Sequence, residues 1–291
     1  MIYRLRHRTT YRYEQPVSFA RCVLRVTPRD GGDQTLLSHD ILITPNPKHE
    51  DVRAGQFGER VVTATLETAH RQLTIDARSR IAVTRPRLAP WLFEPPWETT
   101  RAEAVAAQSL DLSSPAHFLY PSKMAPLFAE ITQFARESFT PHRPIIEAEF
   151  DLAAAVKRSF TYDPDSTEVS TPVEKAFAAR RGVCQDFAHI MIAGLRGLGL
   201  PAAYVSGYIR TFPAPGRPRL EGADASHAWV DLWCGRDHGW VGFDPTNGHI
   251  VAEDHVVVAV GRDYLDVAPI SGIILGPGQQ KVDVAVDLIP E

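Results

Sequence analysis

Three residues far apart in the chain have the types and local settings for nucleophilic chemistry: Cys184, His227 and Asp244. A thiolate can attack a carbonyl, an imidazole can move the proton, and a carboxylate can hold the imidazole in the right tautomer. Cys184 stands in RRGVCQDFAHIMIAGLRGLGLP, where Gly182 permits a tight turn. From there Val183, Phe187, Met191, Gly194, Leu195 and Leu198 recur at helical spacing, and Gly199-Leu200-Pro201 stops the pattern. Cys184 therefore falls in the first turn of a helix. Free N–H groups and the positive dipole end favour a thiolate there and can meet an oxyanion. Taken alone, Cys184 also fits a small buried core residue, so it needs a partner base.

That base can be sought in DASHAWVDLWCGRDHGWVGFDPTNG. Ala225–Trp233 and Gly239–Asp244 read as two strands with the CGRD turn between them. An antiparallel hairpin closing between Gly235 and Arg236 would place His227 directly opposite Asp244, on one face. Taken singly, His227 reads as a satisfied core histidine and Asp244 as a turn residue before Pro245. A helix-start cysteine, a strand histidine and a strand-end aspartate in one hairpin make a stronger case together.

Neighbouring polar residues fit supporting roles. Asp186 lies in the first turn with Cys184, where the helix dipole alone favours a carboxylate; substrate contact is the other reading. Tyr162, Tyr208, Trp229, Ser206 and Asp224 can line a cleft, or can simply pack. His189 projects about 140° around the helix from Cys184 and is not expected to be the base. No close pair of metal-ligand residues occurs, so neither a zinc site nor any other metal or cofactor is expected. Asp163-Pro164-Asp165 lacks the remaining positions of a calcium loop.

These residues need a scaffold, and the 291 residues allow one or two cores. Ile2–Tyr13, Val17–Val26, Leu37–Ile43, Arg60–Thr68 and Gln72–Thr84 read as strands separated by turn signals, a small β-sandwich over 1–88. RPRLAPWLFEPPWE breaks regular structure and marks the boundary, and its aromatic residues suggest packing rather than a loose tether. Over 89–291 helical patterns take over. One spans SKMAPLFAEITQFARESF and another ends at Phe160. A third opens with Thr171 as cap, Pro172 at the first position and Glu174 completing a capping box.

Net charge is −4, which gives no basic field for nucleic acid or anionic lipid. No apolar run reads as a signal peptide or a membrane span. Three scattered cysteines do not suggest a disulfide framework, so a reducing cytoplasm is the expected setting.

RRGVCQDFAHIMIAGLRGLGLPAAYVSGYIR, DASHAWVDLW and GWVGFDPTNG together resemble the core of bacterial transglutaminase-like proteins, within the papain-like cysteine-protease and transglutaminase superfamily. YEQPVSFARCVLRVTPR resembles the β domain that precedes this core in one bacterial group, and DHVVVAVGRDYLDVAPISG resembles that group's C-terminal segment. The resemblance implies an α+β cysteine-proteinase fold after the β-sandwich. It also implies Cys184 as nucleophile, His227 as general base and acid, and Asp244 as orienting carboxylate. The implied chemistry is attack on a peptide or carboxamide carbonyl, giving a thioester resolved by water or an amine, with a peptide or protein as substrate. An inactive binding module on the same fold is the alternative. Only the resemblance suggests that Arg262, Asp263 and Tyr264 form a polar wall.

Overall fold

The computed structural model describes residues 1–85, 94–211, 222 and 225–291. The first six strands are β1 (Ile2–Val17), β2 (Phe19–Leu24), β3 (Gln34–Thr44), β4 (His49–Ala54), β5 (Arg60–Leu66) and β6 (His70–Val83). In β1 the pattern YRLRHRT puts Tyr3, Leu5, His7 and Thr9 inside and leaves the arginines between them outside. The fully exposed β4 has no such alternation, which is why the sequence reading passed over it.

The central part contains α1 (Trp97–Val105), α2 (Ala129–Arg136), α3 (Ile145–Ser159), β7 (Thr161–Tyr162), α4 (Val173–Ala179), β8 (Arg181–Gly182) and α5 (Cys184–Gly197). There follow β9 (Ala202–Ile209), β10 (Ala225–Trp233), β11 (Trp240–Asp244), β12 (His249–Ile250), β13 (His255–Gly261) and the single turn α6 (Tyr264–Val267). The chain then returns through β14 (Ile270–Leu275) and β15 (Gln280–Pro290).

Two four-stranded sheets, ordered β15-β1-β6-β3 and β14-β2-β5-β4, form the sandwich. Leu24, Val62 and Leu66 of one sheet meet Tyr13, Leu73 and Ile75 of the other. The sandwich is thus built from both ends of the chain, and the strand pairing does not follow the expected division at residue 88. β15 runs antiparallel to β1 from Tyr3 opposite Pro290 to Tyr13 opposite Gln280, and β14 pairs with β2. Only Val286 and Leu288 of β15 are deeply buried, too few for a period-2 pattern to stand out.

The five-stranded antiparallel sheet β12-β11-β10-β9-β13 carries the second layer, with α5 packed against β9 and β10. The expected stripe on α5 is part of a wider burial: Gln185 through Arg196 are all buried. Gly194 lets α2 come close, since a Cβ there would lie 2.8 Å from the Cβ of Ala135. Gly199, at φ +80°, supplies the left-handed stop after the helix.

Tyr3, Leu5, Ile81 and Leu288 belong to the same core as Phe187, Ile190 and Val230, so sandwich and sheet share one interior. The Tyr208 hydroxyl meets His7 Nδ1 at 2.7 Å across this junction. The Gln34 amide donates to Val257 O and accepts from Val257 N–H, acting as an extra rung beside β13.

Two helix starts differ from expectation. α2 begins at Ala129, because Pro126 has no N–H to give and Phe128 is extended at φ −131°, ψ 136°. In α4 the cap is Pro172, while the Thr171 hydroxyl accepts the Glu168 N–H instead of capping the helix. In the aromatic boundary segment Trp97 is buried, donates to Thr140 O and packs edge-on to Phe139. Trp91, Leu92 and Phe93 lie outside the described residues. Among the described residues no helix is long and apolar enough to cross a membrane.

Candidate active site

Cys184 is the first residue of α5, following the extended Val183. Two devices fix its approach. β8 pairs in parallel with β7, Tyr162 opposite Gly182. One residue before β8, Arg180 adopts the left-handed conformation (φ 54°, ψ 32°). Its guanidinium lies over Phe177, Phe160 and Phe134 at 4.2, 4.8 and 5.2 Å. Three rings around one cation hold a backbone turn that a non-glycine residue adopts only at a cost.

Asp186 then reaches back to accept the Val183 N–H at 2.9 Å and the Thr167 hydroxyl at 2.6 Å. Gly182 makes this possible, because a Cβ there would sit 2.6 Å from the same carboxylate oxygen. The N–H groups of the first α5 turn, Cys184 included, have no carbonyl one turn earlier in the helix to bond.

His227 lies on β10, buried. Its Nε2 donates to Asp244 Oδ2 at 2.8 Å, and Cys184 is within hydrogen-bonding reach of the ring, which leaves Nδ1 for the thiol. Burial disfavours the imidazolium, but the bonds to Asp244 and Cys184 and their negative charge outweigh it and push the pKa up to about 10.

The hairpin register differs from expectation by two residues. Val230 pairs with Phe243 and Trp233 with Trp240, closing on a longer loop from Cys234 to Gly239. Continued outward, the ladder would set Trp229, not His227, level with Asp244. A slip of two keeps every side chain on its face, so His227 meets Asp244 diagonally.

Asp244 ends β11 fully buried. Its Oδ1 accepts the N–H groups of Thr246 and Asn247 at 2.9 and 3.1 Å, an Asx turn over Pro245. Its Oδ2 accepts from His227, from the Asn247 amide at 2.7 Å and from His255 Nε2 at 3.3 Å. Burial raises its pKa, but these donors prevail and hold the carboxyl well below the ordinary carboxylate range.

The residues expected near substrate divide. Tyr162 remains a candidate: half-exposed, edge-on to Phe187, with its phenol pKa raised by burial and by the Cys184 charge. Asp186 is buried as the partner of Val183 and Thr167, so it supports the backbone just before Cys184 instead of facing substrate. Tyr208 points at His7 in the sandwich junction. Trp229 is wholly buried beside His227 and His255, so it packs against the two rings and does not face substrate.

His189 accepts the Tyr264 N–H at 3.2 Å, which occupies its Nε2, and burial pushes it down to about 4. Arg262 pairs with Asp266, and Asp263 caps α6. Asp224 lies outside the described residues. Sequence reasoning missed Asn247 and His255. The DPTNG turn signal could have found the first, whereas His255 has no local signature. Among the described residues His227, Asp244 and His255 are the one group whose donor atoms cluster as metal ligands would. Those atoms already hydrogen-bond one another.

Fold and site together define an α+β protein with a cysteine-histidine-aspartate constellation. Residues 3–82 match the bacterial transglutaminase-like N-terminal region, and residues 132–245 match the transglutaminase-like superfamily. An uncharacterized protein of Mycobacterium tuberculosis is 38% identical over 302 aligned residues, covering 99% of this chain and 92% of its own. A Mycobacterium leprae protein is 32% identical, covering 98% and 97%. A protein-glutamine gamma-glutamyltransferase of Pseudomonas aeruginosa is 32% identical over 135 residues, 41% of this chain and 20% of its own. The solved structure of a candidate cysteine protease from Cytophaga hutchinsonii superposes with a TM-score of 0.74 over 100% of this chain and 91% of its own, at 20% identity, and shares the fold. The chain belongs to the bacterial transglutaminase-like proteins.

Proposed function

We propose that the protein is a cysteine-nucleophile acyl-transfer enzyme acting on a peptide or carboxamide carbonyl. The observation that carries this reading is His227, with Nε2 on Asp244 and its other face toward Cys184 at a helix start. In this reading the Cys184 thiolate attacks the acyl carbon, and the oxyanion is met by the Cys184 N–H. His227 gives its Nδ1 proton to the departing amine, leaving a thioester. Water or an acceptor amine, deprotonated by the same nitrogen, attacks the thioester, and Cys184 leaves as thiolate. Asp244 keeps the Nε2–H directed and stabilises the imidazolium throughout.

The test is intact-mass trapping with a library of peptides and primary amides. An acyl adduct on Cys184, missing from Cys184→Ala, is expected and names the acyl donor. A library that leaves no adduct, together with a Cys184 that labels no faster than in unfolded protein, would favour a binding module on the same fold.

A further inference from the structure

Asp244 is located by two kinds of donor. Thr246 and Asn247 belong to its own turn and would move with it. Among the described residues, only His227 and His255 bond its carboxylate from outside that turn. His255 starts β13, the edge strand opposite the β12 end of the sheet. Its side chain is fully buried, a costly place for an imidazole unless its nitrogens find partners. Both do: Nε2 lies 3.3 Å from Asp244 Oδ2, and Nδ1 lies 2.8 Å from Asp254 Oδ1. Trp229 and His249 stand edge-on to the ring at 5.3 and 5.5 Å and fix its plane.

We propose that His255 is a positioning residue for the Cys184–His227–Asp244 site, tying the Asp244 carboxylate to the far edge of the sheet so that Oδ2 stays on His227. The proposal rests on the acyl-transfer reading above. Without the His255 N–H, the 244–247 turn keeps its internal bonds, but the carboxylate loses its one hydrogen bond from outside that turn other than the one to His227. The catalytic imidazole must then hold its own orienting group in place.

The test reads iodoacetamide labelling of Cys184 near pH 6 in the full chain, which needs no known substrate. His227→Ala sets the rate without the imidazole. His255→Leu should lower the wild-type rate by roughly tenfold to a hundredfold, as expected for losing a hydrogen bond to a charged group. His255→Gln, whose amide can place an N–H near the ring Nε2, should recover most of it. A folded His255→Leu that labels at the wild-type rate overturns the proposal. So does an equal fall in both His255 variants alongside equal losses of melting temperature, because the ring would then serve packing alone. If His227→Ala itself labels like the wild type, the acyl-transfer reading fails and the positioning role falls with it.

Discussion

Asp244 and Asn247 share a turn in which the carboxylate accepts both the backbone and the side-chain N–H of the asparagine, at 3.1 and 2.7 Å. The acid bonded to His227 is therefore surrounded by donors, and among the described residues no acceptor hydrogen-bonds its carboxylate. Asp244→Asn would turn an amide N–H toward His227 Nε2, Asn247 Nδ2 and His255 Nε2, or else expose the two backbone N–H groups at Oδ1. The variant should lose about 1–3 kcal/mol of stability for the unsatisfied donors and roughly a thousandfold or more in acylation rate for the wrong imidazole tautomer. Urea melts and single-turnover acylation check the two losses. Undiminished acylation would remove Asp244 from the mechanism.

Protonation of His227 is linked to folding. Its folded pKa of about 10 stands above the ordinary 6.5, despite burial, because Asp244 and Cys184 hold the charged ring. A raised folded value means the contribution is fully present below about pH 6.5 and is lost as the pH climbs through about 10. Wild type should lose stability over that window relative to His227→Gln in chemical melts at several pH values. At the acid end the sign reverses. Asp244 has its carboxyl lowered by its donors despite burial, so the stability it provides above pH 3.8 is lost as the pH falls below that value. A stability gap between wild type and variant that stays constant from pH 6 to 10 would contradict the coupling.

The three cysteines should separate by reactivity. Cys22 and Cys234 are buried, and burial pushes Cys22 up to about 11 and Cys234 well above the ordinary thiol range. Cys184 is part-exposed, and its charge acts on the His227 ring. Brief iodoacetamide treatment of native protein should mark Cys184 first, with Cys22 and Cys234 labelled only on unfolding. Peptide mapping decides it, and early labelling of either buried thiol would argue against the order.

Much of the site was legible because its parts sit in strong local patterns. The apolar spacing from Val183 to Leu198 located the helix and hence Cys184 at its start. Alternation around His227 and the strand end at Asp244 gave the face if not the register. A two-residue error in the turn did no harm, since pleating repeats every two residues. What stayed hidden depends on contacts between distant segments. His255 gains its meaning from Asp244 and Trp229, and Tyr208 finds its partner in His7, at the other end of the chain. Asp186 read as a possible substrate contact because sequence does not show that Gly182 clears a path back to Val183. The return of β14 and β15 was missed for a similar reason: their exposed faces blur the alternation that marks a strand.

Arg180 should matter more than an exposed arginine ordinarily does. Arg180→Ala removes three ring contacts and leaves a Cβ residue at φ 54°, so a loss of about 1–2 kcal/mol is expected. Arg180→Gly loses the same contacts but relaxes the backbone, and should fall by less. Equilibrium melts of the pair separate cation–π holding from backbone strain. Equal losses would assign the effect to the rings alone.

The returning strands supply the last prediction. A chain ending after residue 269 lacks β14 and β15, which form one edge of each sandwich sheet. It loses the buried Val286 and Leu288, worth about 1.5–3 kcal/mol apiece in apolar burial, from the core shared with α5. It also opens β1 and β2 along the whole paired length, leaving two unprotected edges. The truncated chain should therefore aggregate or unfold without a cooperative transition. In milder form, Leu288→Ala should cost about 2–5 kcal/mol as a buried large-to-small change. Because Leu288 shares its core with Phe187, that loss should also loosen α5 and blunt the preference of iodoacetamide for Cys184. Circular dichroism melts and peptide mapping on both proteins test this. A truncated chain that melts like the full one would show that the sandwich stands without its returning strands.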